Sequence, residues 1–423
     1  MEASSAIETA KHILLSGGLI LAVGIITALA ARKIKVPDIA LFLIVGIAIG
    51  PAVLGLFDIK SDSALYQIIL LFGASYILFD GGASLRFEVL KKVWITIVTL
   101  ATVGVLVTAV VTAFAAQAVL GVPWIVALLL GAVIASTDPA TLVPIFRQIS
   151  VRDRVAQTVM SESAFNDATG AIMTFGVLAV AMGTGDFSVG ASLFDLFRQS
   201  VVGIVAGGAL GYLAAMLIAH ERWAFLADYG PVVTLVVVIG AYFAADGMQA
   251  SGFMAVFACG IVIGNKDVFG FKMTSAEAQK LDEFVMATAF VMRLFIFVLL
   301  GAQIDFHLIG QHWLGGVIIA TIFMLAARPA TVFLSALPDR RAKWTLNEML
   351  FMCWTRETGV IPAALAGLLL GMKAPGSDII VSVTFIAILM TILIQAPTTR
   401  ALGKSLGLLD ETPKAQTHRM KKS

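Results

Sequence analysis

The segment Met160-Ser161-Glu162-Ser163-Ala164-Phe165-Asn166-Asp167-Ala168-Thr169-Gly170 interrupts an otherwise largely apolar run from about Val155 to Met182. The run is long enough to cross a bilayer, which takes about 20 mostly apolar residues. Two carboxylates and an Asn therefore fall within the membrane, where an unpaired charge at the centre costs at least ~2.5–3.5 kcal/mol. Carboxylates kept against that cost mark an ion path, a proton relay or a structural ion pair. This one helix carries groups for all three.

Composition extends the reading to the whole chain. Of its 423 residues, 59% are hydrophobic and only 13% are charged, with a mean hydropathy of +0.96. Such values exclude a soluble domain of this size and indicate an all-α polytopic membrane protein. The apolar stretches are continuous rather than alternating, which excludes a transmembrane β-barrel. The net charge of +2 identifies no partner beyond the lipid bilayer, and no nucleic-acid partner is expected. Cys259 and Cys353 lie inside apolar runs and read as buried thiols. The first twelve residues are polar and do not read as a signal peptide. Residues 1–400 read as a single transmembrane transporter domain and 401–423 as a short basic cytoplasmic tail.

Hydropathy and helix breakers give about thirteen spans, at 13–31, 38–56, 64–82, 94–119, 122–146, 155–182, 192–219, 226–245, 250–264, 277–302, 313–337, 344–372 and 378–398. The loops on one side hold twenty-two Lys and Arg residues, among them Arg86, Lys91, Lys92, Arg152, Arg154, Arg340, Arg341 and Lys343. The opposite side holds three, Lys11, Lys60 and Lys373. The positive-inside rule then sets the N-terminus outside and the C-terminus in the cytoplasm. Arg198, Arg293, Arg328 and Arg356 fall within spans or at their edges, and each needs a partner or an interfacial position.

Two spans read as broken. In the fifth, Ser136-Thr137-Asp138-Pro139 puts a carboxylate at a site where proline removes a backbone donor and disfavours helical geometry before it. In the twelfth, Thr355-Arg356-Glu357-Thr358-Gly359-Val360-Ile361-Pro362 is similarly irregular. Spans 1–6 and 8–13 can be superimposed as two inverted six-helix repeats with span 7 as linker, which makes the two broken segments equivalent. Interrupted helices in matching positions of two halves are a signature of an inverted-repeat transporter.

Together these strings resemble the sodium/proton antiporters of the NhaP and NHE type, in the monovalent cation:proton antiporter superfamily. The most specific element is Glu162-Ser163-x-x-Asn166-Asp167, following Thr137-Asp138-Pro139 one span earlier. Phe79-Asp80-Gly81-Gly82, Leu300-Gly301 and Arg328-Pro329 add to it. The resemblance implies a homodimer in the cell (inner) membrane, each protomer having a scaffold domain and an ion-carrying core in which the broken helices cross. It implies secondary antiport of a monovalent cation, Na+ or Li+, for H+ by alternating access, in pH and cation homeostasis, with K+ as the alternative ion. No cofactor is implied, because the ions are substrates. By the same resemblance Asp167 is the central carboxylate of cation and proton, and Asp138, the Ser163 hydroxyl and the Thr137 main-chain carbonyl complete the cation shell. Asp80 stands where the family often has Glu. Glu162 and Arg328 match a buried structural ion pair, with Asn166 hydrogen-bonded nearby. Asn166-Asp167 matches the electroneutral branch, whereas the electrogenic branch carries two adjacent aspartates.

One departure stands out: the family's Gly-Leu-Arg-Gly string before a proline is replaced here by Arg356-Glu357-Thr358-Gly359. Arg356 and Glu357 are candidates for offsetting helix-end dipoles at the break. The chemistry suits the residues. Alkali cations are hard and want several oxygen ligands. Ser163 and Asp167, four residues apart, share a helix face, as do Glu162 and Asn166. Desolvation and a like-charged neighbour both favour the protonated form of a buried carboxylate, so a proton can compete with a cation for one site. Other readings have less behind them. Gly183-Thr184-Gly185-Asp186 spells the Gly-x-Gly-Asp of an intramembrane aspartyl protease, but in an exposed loop and with no Tyr-Asp in any span. A channel filter is built from rings of carbonyls or charges, which a lone protonatable cluster does not supply. Gly203, Gly207 and Gly211 read as a helix-packing stripe.

Overall fold

The computed structural model describes residues 2–34, 36–57, 59, 63–183, 189–220 and 223–409. Among these residues the regular structure is helical, with one isolated β-bridge between Val151 and Leu409. Nine helices of the described residues are long and apolar enough to cross a membrane, and four more are shorter and apolar. Most of the 401–423 tail, from residue 410 on, lies outside the described residues, as does the protease-like string after Gly183.

The chain opens with α1 (Glu2–Ile34), which runs well beyond the apolar segment 13–31 because no proline interrupts its backbone bonding. Arg32 and Lys33 in its last turn suit the negative end of the helix dipole. After α2 (Asp38–Ile49), α3 (Ala64–Ala83) is capped by the Ser63 side chain, which accepts from the Tyr66 amide. Helix α4 (Phe87–Leu120) begins about two turns before the apolar run, since Val93 and Ile97 pack against Ala342 while Lys91 and Lys92 face outward. It stops at Gly121, whose φ of 64° suits glycine, just before Pro123.

The fifth span is two helices, α5 (Trp124–Ile134) and α6 (Pro139–Gln148), separated by a non-helical segment over 135–138. Then follow α7 (Asp153–Ala181), α8 (Val189–Ala219), α9 (Gly230–Gly247), α10 (Gly252–Gly264) and α11 (Ser275–Ala302). After α12 (Phe306–Ala336), the twelfth span is again divided into α13 (Leu346–Trp354) and α14 (Val360–Gly371), with 355–359 non-helical. The last helix is α15 (Ser377–Ser405).

Three long helices contain a π-helical turn: Leu100–Gly104 in α4, Phe323–Ala327 in α12 and Thr391–Gln395 in α15. Such turns free a backbone carbonyl and occur often at functional sites. Here Gly104 accepts from the Thr331 hydroxyl at 3.2 Å, tying the first π-turn to the helix that carries the second.

Packing places α7 at the centre. From Met160 to Gly170 every residue but Phe165 is buried, so the helix is surrounded by protein rather than lipid; α4, α5, α8 and α10 all lie against it. Elsewhere the packing is apolar and close. Gly203, Gly207 and Gly211 of α8 meet the backbone of Ser251, Ala255 and Cys259 on α10, and a Cβ at Gly207 would overlap the Ala255 carbonyl.

Candidate functional site

The two interruptions meet each other. The Asp138 amide donates to the Glu357 carbonyl at 2.9 Å. The Asp138 carboxylate in turn accepts, through Oδ2, the Val360 amide at 3.0 Å and the Thr141 hydroxyl at 3.1 Å. Val360 is the first residue of α14, so Asp138 sits at the positive end of that helix while its own residue precedes α6. Gly359 makes the approach feasible: a Cβ on it would overlap Asp138 Oδ2. At the other end of the break, the Arg356 guanidinium donates to the Ala135 carbonyl, just past the C-terminus of α5, and to the Thr108 hydroxyl at 3.0 Å. Its flat face lies 4.7 Å from the centroid of Phe323.

Asn166 joins this assembly to α7. Its Oδ1 accepts the Thr137 amide at 3.0 Å and its Nδ2 donates to the Thr137 hydroxyl at 2.9 Å. One residue on, Asp167 is 3% exposed, and neither of its carboxylate oxygens has a hydrogen-bond partner among the described residues. Asp138 is within electrostatic reach, and Ser136 stands beside it. The hydroxyls of Ser136 and Ser163 are fully buried and likewise without partners among the described residues. Buried polar atoms are nearly always paired, and an exception calls for an explanation such as a bound ion. A buried carboxylate without a hydrogen bond among the described residues, with the Ser136 hydroxyl beside it, offers oxygens of the kind that a proton or a hard cation takes.

The remaining charges divide into paired and unpaired. Arg328 forms a bidentate pair with Glu162 at 2.5 and 2.9 Å, both side chains being fully buried, and its Nε donates to the Met352 carbonyl at 2.9 Å. This pair joins α7, α12 and α13. Arg293 meets Asp38 at 3.3 Å and Arg198 meets Asp195 at 3.6 Å. All four arginines singled out in the sequence thus have partners. Glu357 differs: it is fully buried and, among the described residues, neither of its side-chain oxygens is hydrogen-bonded. Asp80 is 3% exposed in the last turn of α3 and has an interaction partner of its own. Asp305 is exposed and caps α12 by accepting the amides of His307 and Leu308.

Several contributors escape a reading of the sequence. Thr108 bonds Arg356 and also Thr331 at 3.0 Å, while Thr391 accepts the Thr358 amide at 3.2 Å. A Thr in an apolar helix ordinarily bonds the carbonyl a turn back, as Thr391 also does to Ala387 at 2.8 Å. Nothing in the sequence separates the two uses. Ser136 had a signal, its place in the broken segment beside Thr137 and Asp138.

Comparison with known proteins covers nearly the whole chain. Residues 18–404 match the family model described as sodium/hydrogen exchanger, transmembrane. Na(+)/H(+) antiporter 1 of Methanocaldococcus jannaschii is 32% identical over 428 residues, covering 95% of this chain and 97% of that protein. A K(+)/H(+) antiporter NhaP of Alkalimonas amylolytica is 29% identical, over 94% of this chain and 67% of its own length. The solved structure of the sodium proton antiporter MjNhaP1 from Methanocaldococcus jannaschii at pH 8 superimposes with a TM-score of 0.73 at 30% identity, covering 96% of this chain and 99% of the other.

Proposed function

The chain belongs to the sodium/hydrogen exchanger family, and we propose that it exchanges a monovalent cation, Na+ or Li+, for H+ at a site centred on Asp167. Family membership sets aside the protease reading: the protein is a transporter, and its ions are substrates rather than cofactors. The observation that carries the proposal is the Asp167 carboxylate, buried without a hydrogen bond among the described residues beside the unpaired hydroxyls of Ser136 and Ser163.

In this reading Asp167 binds cation and proton in turn. Asp138, Ser163 and the Thr137 carbonyl complete the cation shell, and Asp80 contributes from α3. Glu162, Arg328 and Asn166 hold the site in shape, and Arg356 and Glu357 set the electrostatics of the breaks. The loaded site, carrying the same charge with either ion, crosses between the two faces; the empty site, one unit more negative, does not. A carboxylate only 3% exposed exchanges ions only when the protein moves, which is the physical ground for alternating access. The finer architecture belongs to the same proposal: thirteen crossings, two inverted six-helix repeats, scaffold and core domains, and a transmembrane domain over 1–400 with a basic tail. So do a homodimer in the cell membrane, the N-terminus outside and the C-terminus in the cytoplasm. The charge asymmetry of the loops supports that orientation.

The similarity to an antiporter named for K+ keeps potassium as the second reading. Proteoliposomes carrying a pH-sensitive dye, challenged with Na+, Li+ and K+ separately, test both. Na+ or Li+ should move protons at lower concentration than K+; the reverse order installs the second reading, and no response to any of the three removes the site.

A further inference from the structure

Away from the acidic centre, a cluster of cations surrounds a cavity of about 750 Å³ between the N-terminal turns of α4, the start of α7 and the loop leading into α13. Its lining includes Lys91, Lys92, Arg152, Arg154, Arg341 and Lys343, with Asp153 as the opposing carboxylate. Asp153 already meets Arg86 at 3.6 Å. Arg154 and Arg152 are directed to Glu348, so they belong to the wall. The other four cations are exposed, and among the described residues none of them forms an ion pair.

The wall is firmly built. Arg154 donates to the carbonyls of Ala342 and Lys343 and lies 4.7 Å from the centroid of Trp344. Asp339, 3% exposed, accepts the Thr96 hydroxyl at 2.7 Å, the Thr96 amide at 3.2 Å and the Ala342 amide at 3.2 Å. The Trp344 indole donates to the same Thr96 hydroxyl at 2.8 Å. Lys343 is fixed at a φ of 48°, a left-handed conformation that L side chains rarely adopt. A loop bonded on its inner side holds the backbone from which Arg341 and Lys343 project outward. Four exposed cations outside any ion pair among the described residues, facing one carboxylate that Arg86 already engages, favour an anion.

We propose that this cavity binds the phosphate headgroup of an anionic phospholipid. A lipid is favoured over a soluble phosphate by what adjoins the cavity. Trp94 lines it and is 53% exposed, and along the same helix Val98, Leu106 and Val110 are also exposed, at spacings of one or two turns. That apolar strip leads from the headgroup cavity along the span, as an acyl chain would, and Trp is the side chain that favours the membrane interface. Basic pockets between spans on the cytoplasmic side recognise such headgroups. The choice of leaflet rests on the orientation proposed above; binding itself does not.

The test uses the purified full-length protein in detergent, titrated with phosphatidylglycerol, with phosphatidylcholine and with glycerol phosphate, and followed by native mass spectrometry and thermal unfolding. Phosphatidylglycerol should bind and raise the unfolding temperature, and the other two should not. K91Q/K92Q should weaken that binding roughly tenfold, and Arg341→Glu should weaken it further. K272Q/K280Q, which removes two exposed charges elsewhere on the same proposed face, should leave it unchanged. Equal effects of K91Q/K92Q and K272Q/K280Q would mean diffuse attraction and overturn the site. Full stabilisation by glycerol phosphate would make a soluble anion the occupant and overturn the lipid assignment. Equal binding of phosphatidylcholine would overturn both. None of these readouts depends on transport, so they stand apart from the fate of the antiport proposal.

Discussion

Asp138 and Glu357 are joined by their main chains, the amide of one donating to the carbonyl of the other at 2.9 Å, while their side chains have opposite fates. Asp138 accepts two hydrogen bonds through Oδ2, whereas Glu357 keeps both oxygens unpaired among the described residues. Two carboxylates enter one break, and one of them is used to bind it together.

Glu357→Gln is expected to move the cation dependence or the pH profile of exchange without abolishing it, because a titratable carboxyl beside the breaks is replaced by an amide. Dye-based flux across a pH series measures this. Complete loss of flux in a folded Gln protein would promote Glu357 to a direct ligand, and an unchanged profile would return it to packing alone.

Asp167→Asn should abolish exchange and leave the protein folded. An amide fills the same space but can neither release a proton nor balance a cation. Near-normal flux from this variant in proteoliposomes would mean that the centre has been put in the wrong place.

Gly359→Ala should weaken apparent cation affinity roughly tenfold, from an overpacking strain of about 1–3 kcal/mol. A Cβ at that position overlaps Asp138 Oδ2, so the strain falls on the carboxylate. Gly367→Ala in the helix that follows, α14, where a Cβ meets nothing within 4 Å, serves as the control. Equal behaviour of the two variants would dismiss the close approach as a determinant.

Neutralising either member of the Glu162–Arg328 pair should destabilise the protein by about 3–5 kcal/mol, since it leaves a buried charge alone. Replacing both with apolar residues should recover part of the loss. The unfolding temperature in detergent of the four proteins of that cycle gives the coupling; strict additivity would show that the pair contributes nothing as a pair.

Exchange should be electroneutral. With the pH gradient clamped, an imposed membrane potential should leave the initial rate unchanged; a rate that follows the potential would falsify one-for-one stoichiometry and bring Glu357 forward as a second proton carrier.

The helical class, the position of both interruptions and the need of four arginines for partners were legible in the sequence because each follows from a strong local cost. Pro139 removes a donor and disfavours helical geometry at Asp138, and a charge in hydrocarbon needs a partner. Helix ends were less legible. Helix α1 continues to Glu2 through polar residues because nothing stops it, and α4 gains its first turns from contacts with Ala342, far along the chain. Of the three π-turns, two directly precede Arg328-Pro329 and Ala396-Pro397, whose prolines are their only mark, while Leu100–Gly104 has none and meets Thr331 opposite Gly104. Of the candidate site, the acidic residues stood out by their charge. Their arrangement did not, because the bonds from Thr137 to Asn166 and from Val360 to Asp138 depend on distant segments meeting.

The pair of hydrogen bonds between Asn166 and Thr137 has a mechanical consequence. It ties the turn of α7 that bears Asp167 to the segment that bears Asp138, and Glu162, Arg328 and Arg356 fasten the same region to α12, α13 and α5. Displacing one acidic residue therefore drags the other along, whereas apolar seams such as that between α8 and α10 have no such fasteners among their glycine contacts. On the proposal that a cation binds between the two aspartates, it would travel like freight bolted to its wagon, with its coordination distances unchanged from one end of the journey to the other. Selectivity set at loading would then persist until release.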